Sequence, residues 1–267
     1  MTSDEKAIEA AASLGGKMLD IAKDSPDARE AGANLAAAAK TVTALVKHSL
    51  LPIAALNFGM EKAAAYFREK FANDVEGKTR HIPAESVVEP KASIAGPILQ
   101  GLAFSHDEDK LKELYLELLA SAMDKRRTGG AHPAFVEVIR QLSAEEIQAL
   151  TAFLASDGST PIAEIRERSE GSSYATRIRF LLDLTKGEGG EPVVLPSLAM
   201  WVDNWVRLGL ATTSFTERTA GEDAYAWVET RPEYLAIKTD RIFHQPGLME
   251  PTTFGMEFAR SVGMIPT

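Results

Sequence analysis

Hydrophobic residues before position 80 recur every three or four residues, which is the spacing of amphipathic helices. A long run of this kind reaches about Leu50, Pro52 interrupts it, and a second run continues to about Val75. The pattern therefore predicts amphipathic helices over residues 1–75.

Residues 82–142 carry the densest pattern in the chain. Pro83 and Pro90 hold the preceding residues in an extended conformation, because the residue before a proline avoids the α region. An apolar stripe from Leu111 to Ala122 then predicts a helix, and His132-Pro133 begins another. We predict one helical domain over residues 1–142, with its core at 82–142.

The region after residue 142 is predicted to be a smaller module. Ser143 and Glu146 have the spacing of a capping box and begin a helix. The following elements are predicted: helices over Ile162–Arg168, Ser173–Leu184 and Pro196–Leu208, and strands over Leu210–Thr216 and Ala224–Thr230. This is the order of a winged helix. The predicted fold class is therefore mainly α: an N-terminal helical bundle followed by a winged-helix-like α+β module over residues 143–267.

Composition and charge exclude several classes of function and argue against others. The chain has 267 residues and no cysteine, which excludes disulfides, thiolate nucleophiles and cysteine-based metal sites. Of the formal charge of -9, residues 143–267 carry -7. Because nucleic-acid binding needs cations to neutralise phosphates, this acidic balance argues against DNA as a partner. The polar N-terminus has no secretory signal, so a cytoplasmic location is expected.

Low charge between Ala31 and Met60 raises the question of a membrane segment. Lys40 and Lys47 are the charged residues there, yet they interrupt the roughly 20 apolar residues that a spanning helix needs. Two interpretations stay open. The segment forms packed helices, or residues 31–71 form a surface hairpin that associates with membranes on activation.

One cluster could carry chemistry: Glu117, Asp124, Arg126, Arg127 and His132. Acids and a histidine can bind a divalent metal, arginines can hold a phosphate, and histidine suits acid–base catalysis. Alternatively, Asp124 and the arginines build a helix-end turn and His132 caps the next helix. Glu117, Asp124 and His132 are thus weak catalytic candidates, and no metal or cofactor is predicted.

Familiar enzyme motifs do not appear in the sequence. It contains no Gly-x-Ser-x-Gly, no phosphate-binding Gly-x-x-x-x-Gly-Lys and no His-Glu-x-x-His. The motifs therefore do not indicate an enzyme.

A tryptophan pair offers a candidate partner surface. Trp201 and Trp205 lie one helical turn apart, next to Asn204 and Arg207. Such tryptophans are either core anchors or, when exposed, the centre of a protein interface.

The central stretch resembles the abortive infection alpha family of bacterial proteins. The resemblance rests on Ile82-Pro83, Val88-Glu89-Pro90, Ile94-Ala95-Gly96-Pro97, Leu118–Arg126, His132–Ile139, Gln141–Ser143 and the ending Thr252–Phe258. Within it, the matching positions singled out as a binding or structural motif are Glu89, Pro90, Gly96, Pro97, Ser121, Asp124, Arg126, His132, Pro133 and Phe135. Ala131 and Ala134 depart from the residues common in that family.

The resemblance implies a bacterial protein with a role in defence against phage, and it implies no reaction. Our first hypothesis is a non-enzymatic antiphage protein that acts through a protein partner or a homo-oligomer, with membrane perturbation by residues 31–71 as its effect. A second hypothesis is a nucleic-acid-directed effector or regulator that uses the winged helix and the Asp124–His132 cluster. A third is a scaffold or immunity-like binding partner.

Overall fold

The chain forms two compact units in the computed structural model. The structure describes residues 37–42, 44, 57–127, 131–156, 158–171, 173–185, 190–221 and 223–266. The first unit comprises Met1–Gln148 and Glu257–Thr267, and the second comprises Ala149–Met256. The domain boundary predicted between residues 142 and 143 stays a prediction.

The described helices and strands are numbered in chain order. The helices are α1 Asn57–Glu69, α2 Phe71–Thr79, α3 Ala92–Ser105, α4 Asp109–Ala122, α5 Ala134–Ile139, α6 Glu146–Leu154, α7 Leu198–Arg207, α8 Pro232–Leu235 and α9 Thr253–Ser261. The strands are β1 Thr160–Arg168, β2 Tyr174–Leu182, β3 Ala211–Ser214 and β4 Ile242–Pro251. Short 3-10 turns lie at Ala84–Ser86 and Ala226–Thr230, and residues 37–42 and 44 are also helical.

Helix α1 turns its apolar face into the core of the first unit. Tyr66 and Phe67 on α1 and Phe71 on α2 are buried, with the rings of Phe67 and Phe71 5.0 Å apart. Within the described part of the chain, no helix combines the length and apolar character needed to cross a membrane. The rest of the predicted hairpin at residues 31–71 includes positions outside the described residues, and its membrane association stays a prediction.

The second unit is built on a four-stranded antiparallel sheet with the strand order β2-β1-β4-β3. Ile165 on β1 pairs with Ile178 on β2 and with His244 on β4. Its side chain joins Ala163 and Val228 in the buried cluster on one face of the sheet. Strand β1 is thus paired on both sides, and it organises the unit.

Because the second unit contains this sheet, the predicted fold class is wrong. The protein is α+β, with neither a mainly α architecture nor a winged helix. The segments predicted as helices over 162–168 and 173–184 form β1 and β2, and the strand predicted over 224–230 is a 3-10 turn. The period-two alternation of Arg177, Ile178, Arg179 and Phe180 is typical of a strand, and the helical prediction overlooked it.

A buried arginine fixes the loop that leaves β2. Arg231 is 1% exposed, and its guanidinium donates to the carbonyl oxygens of Leu184 at 2.6 Å and Val193 at 2.7 Å. Glu233 accepts two further hydrogen bonds, at 2.7 and 3.1 Å, and balances the charge. A buried charge is stable only when it is paired and hydrogen-bonded in this way.

We predict that Arg231→Met lowers the free energy of unfolding by about 3 kcal/mol, because it leaves Glu233 without its cation and removes the Arg231 donors from the carbonyl oxygens of Val193 and Leu184. The Leu184 oxygen keeps the Val193 N–H as a donor. Urea denaturation measures the change. Arg218→Met is the matched control, since the same atoms are lost from an exposed side chain. Equal effects of the two substitutions would contradict the role assigned to Arg231.

The start of α9 requires a residue without a side chain. Thr252 caps the helix: its Oγ1 accepts the Gly255 N–H at 2.8 Å, and its own N–H donates to Leu210 O at 3.1 Å. A Cβ on Gly255 would lie 2.2 Å from that Leu210 oxygen. Close packing of helix against backbone therefore explains the Phe-Gly pair near the end of the chain.

We expect Gly255→Ala to destabilise the protein by about 2 kcal/mol, since the backbone of Leu210 must move to admit a methyl group. Gly77→Ala in α2 is the control. Its added Cβ would meet Arg80 at an ordinary 3.6 Å, so alanine's higher helix propensity should raise stability by up to about 1 kcal/mol. Thermal unfolding of both variants tests the opposite signs.

Candidate functional site

The central segment of the sequence is held together by its backbone. Val88 N–H donates to Met123 O at 2.8 Å, and Lys125 N–H donates to Ser86 O at 2.9 Å. Val87 and Asp124 thereby form an isolated antiparallel bridge. Two stretches that stand far apart in the sequence, residues 86–88 and the end of α4, thus become neighbours.

Asp124 is the charged centre of this junction. Its buried carboxylate accepts hydrogen bonds from the Arg126 backbone N–H at 3.0 Å, Nε at 2.8 Å and Nη2 at 2.6 Å. Burial by itself would raise the pKa of this carboxyl, but the hydrogen bonds and charge of Arg126 outweigh it, and the net shift is downward. Asp124 is therefore ionised and held at the end of α4.

Ser121 connects the same helix end to the last residues of the chain. Its hydroxyl donates to Ser261 O at 2.7 Å and accepts from Arg127 Nη1 at 2.5 Å. The hydroxyl is buried, so both of its hydrogen bonds are protected from water.

His132 lies at the start of α5. Its Nδ1 accepts the Ala134 N–H at 3.1 Å, which satisfies one of the unpaired donors at a helix N-terminus. Pro133 has a helical φ of -54°, and Phe135 packs edge-on against Phe258 with ring centroids 5.6 Å apart. The His-Pro pair thus positions a short helix over the core.

Glu117 has a different partner. Its carboxylate pairs with Lys78 Nζ at 2.9 Å, and Lys78 also pairs with Glu113. Among the described residues, no group of three or more acids and histidines could hold a metal ion. Asp124 and His132 make the contacts that the helix-end alternative describes, and Glu117 pairs with Lys78. The catalytic candidacy of all three residues stays a prediction.

Other motif residues lie around this junction. Glu89 is exposed and accepts a hydrogen bond from the Thr41 hydroxyl, whereas Pro90 is buried. Gly96 and Pro97 lie inside α3, which begins at Ala92.

The tryptophan surface is only partly exposed. Trp205 is 1% exposed and stacks on Phe153 with ring centroids 5.9 Å apart, so it belongs to the core of the second unit. Trp201 is half-buried, and Asn204 accepts a hydrogen bond from Arg207 at 2.6 Å. The large apolar side chains that α7 exposes are Met200 and Val206.

A cavity in the first unit was not predicted from the sequence. It has a volume of about 420 Å³ and lies between α3, the start of α4 and the connection from α5 to α6. We call it the Tyr115 cavity; its lining includes Gly101, Phe104, Leu111, Tyr115, Ile139 and Leu142. A Cβ on Gly101 would lie 2.3 Å from the Tyr115 ring, so glycine is needed for the two helices to approach there.

The sequence held a weak signal for this cavity. Tyr115 stands in the apolar stripe of α4, where a leucine or methionine would serve packing without a polar atom. A tyrosine in such a stripe usually gives its hydroxyl a hydrogen-bond partner. The sequence alone cannot tell which partner, because the neighbours come from α3 and from residues after α5.

Comparison with known proteins gives one match. A family model described as abortive infection alpha matches residues 63–262. No curated protein and no solved structure matches the chain. The family match spans residues of both compact units, and it confirms the resemblance based on the motif residues.

We predict that Asp124→Asn lowers the free energy of unfolding at pH 7 by about 2 kcal/mol, because it removes the charge that Arg126 holds. The folded-state pKa of Asp124 lies below its unfolded value. The ion pair therefore contributes fully above pH 5, and its contribution is lost as the pH falls below about 4. Urea denaturation from pH 3 to 8 should show the gap between wild type and variant close at the acid end.

Asp109→Asn is the control for that series. Asp109 also pairs with a cation, Lys112, at 2.8 Å, but its side chain is exposed, so solvent screens the pair. Its loss should leave the urea midpoint near that of wild type. If Asp109→Asn lowered the urea midpoint as much as Asp124→Asn does, burial of the Asp124 carboxylate would not be the cause of the lost stability.

Proposed function

Because the chain belongs to the abortive infection alpha family, we propose that it protects bacterial cells against phage as a non-enzymatic protein that acts through protein partners. The family match over residues 63–262 carries this proposal. It includes the central segment, α9 and the sheet between them, so the proposal concerns both compact units.

The contacts of the catalytic candidates support a non-enzymatic mode of action. Asp124 is bound by Arg126, Glu117 by Lys78, and the His132 imidazole accepts a backbone N–H. The carboxylates of Asp124 and Glu117 must leave their present cations before they can act on a substrate, whereas the His132 hydrogen bond uses Nδ1 and does not involve Nε2. Their loss is thus expected to affect stability more than a chemical step.

The nucleic-acid alternative has lost part of its basis. It combined the Asp124–His132 cluster with a winged helix, and the second unit is instead an antiparallel sheet with helices. Its remaining basis is His132, which makes this residue the sharpest test between the two candidate functions.

We expect His132→Asn to retain phage protection. Asparagine Oδ1 occupies nearly the place of histidine Nδ1 and can accept the Ala134 N–H, but it cannot transfer protons near neutral pH. The plating efficiency of phage should be compared on three strains that all keep the flanking genes. One carries the wild-type gene at its native locus, one carries the His132→Asn variant there, and one has the gene deleted. His132→Ala, which removes both cap and imidazole, is the companion variant.

The outcomes separate the hypotheses. Equal protection by wild type and His132→Asn supports a role without imidazole chemistry. The non-enzymatic proposal would be overturned in favour of an enzyme if the His132→Asn protein gave no protection while its abundance and melting temperature were unchanged. Equal plating on the wild type and the gene deletion, across a panel of phages, would overturn the defence role itself.

A further inference from the structure

We propose that the Tyr115 cavity binds a small organic cation, an ammonium or guanidinium group carried on an apolar or aromatic body. This inference is independent of the proposed defence role, because it rests on the first unit's own geometry. The cavity volume of about 420 Å³ lies within the usual range for small-molecule sites.

The first observation is a polar group without a partner. Tyr115 is 2% exposed, yet its hydroxyl has no hydrogen-bond partner among the described residues. Among the described residues, every side-chain nitrogen or oxygen that is completely shielded from solvent has a hydrogen-bond partner. The small accessible surface of the hydroxyl therefore faces the cavity that Tyr115 lines, where a ligand can reach it.

The second observation is the protonation state of that group. Burial raises the pKa of the Tyr115 hydroxyl, so it stays a neutral phenol at physiological pH. A phenol both donates and accepts hydrogen bonds. It can thus accept one from an ammonium or guanidinium, or donate one to a polar group on the ligand body.

The walls are suited to an apolar body. Leu111, Ile139 and Leu142 are buried and line the interior. Phe104, also in the lining, is 58% exposed, which is unusual for a large aromatic residue. An aromatic or alkyl group in the cavity would cover this ring and remove its apolar surface from water.

The charged residues of the lining favour a cation. Glu108 and Glu145 have no ion-pair partner among the residues that the structure describes, whereas Arg140 pairs with Glu137 at 3.4 Å. Glu108, Glu145 and Arg140 are all exposed, so they act at the mouth of the cavity, where solvent screens them; two carboxylates against one paired guanidinium leave a negative balance there. A cationic ligand would restore the balance.

The helix N-termini at the cavity do not reverse this preference. The positive ends of α4 and α6 would attract an anion, but acids already occupy both positions. Glu108 is the N-cap residue of α4. At α6, the Glu146 carboxylate accepts the Ser143 N–H at 2.7 Å, and Ser143 Oγ accepts the Glu146 N–H at 3.4 Å. Glu108 thus offsets the positive end of α4, and the Glu145 carboxylate is the remaining negative charge at the cavity.

The test compares two probes with the same body and opposite charge. The purified full chain is titrated by ligand-observed NMR with 4-phenylbutylamine and with 4-phenylbutyrate. We expect the amine to bind with a Kd of about 1 mM or tighter, and the carboxylate to bind at least tenfold more weakly. Equal or tighter binding of the carboxylate would overturn the proposal.

Variants locate the binding. Tyr115→Phe should weaken amine binding about fivefold, the value of one hydrogen bond, and leave the melting temperature unchanged because the hydroxyl has no internal partner. The double variant Glu108→Gln with Glu145→Gln should remove the preference for the amine. Asp203→Asn, an exposed acid in the second unit, is the control and should change nothing.

Two further results would overturn the proposal. One is a Tyr115→Phe protein that binds the amine as wild type does, or that melts several degrees lower, which would make the hydroxyl structural. The other comes from a peptide probe, acetyl-Gly-Arg-Gly-amide. Binding of this peptide without binding of the amine would assign the cavity to a basic side chain of a partner protein.

Discussion

The first unit depends on one buried carboxylate at the end of α4, which pairs with a half-exposed arginine. The Asp124 carboxylate is removed from water and is stable there only because Arg126 supplies three of its donors. With that charge in place, the backbone of residues 86–88 can pair with residues 123–125. Ser121 adds a link from the same helix end to Ser261. Ser121, Asp124 and Arg126 thus all make hydrogen bonds at this helix end.

A similar constraint governs the second unit. Strand β1 has neighbours on both sides, so its backbone donors and acceptors are used by β2 and β4. The loop that follows β2 pairs with itself between Thr185 and Pro192, and Arg231 adds donors to its carbonyls at Leu184 and Val193. In both units, a charge enclosed by hydrogen bonds holds a stretch that lies outside the regular elements.

The Tyr115 hydroxyl differs from these groups. Asp124, Ser121 and Arg231 are buried with their hydrogen bonds made inside the protein. Tyr115 is equally buried, but its polar atom faces an open volume. A buried hydroxyl that lines a cavity and has no partner among the described residues is the observation on which the ligand proposal rests.

The sequence by itself determined the local features whose partners are close in the chain. The capping box of Ser143 and Glu146, the helix that follows His132-Pro133 and the apolar stripe of α4 all depend on residues within a few positions of one another. The family resemblance also came from linear motifs.

Only the tertiary structure decided the sheet. Pro246 and Gly247 are residues typical of loops, yet both lie in β4, where Pro246 pairs with Ala163 of β1. Strand β3 pairs with β4 only from Leu248 onward, so no hydrogen bond from Pro246 to β3 is needed. The Tyr115 cavity likewise needs α3, α4 and the α5–α6 connection together, and a contact among distant segments leaves no periodic pattern in the sequence.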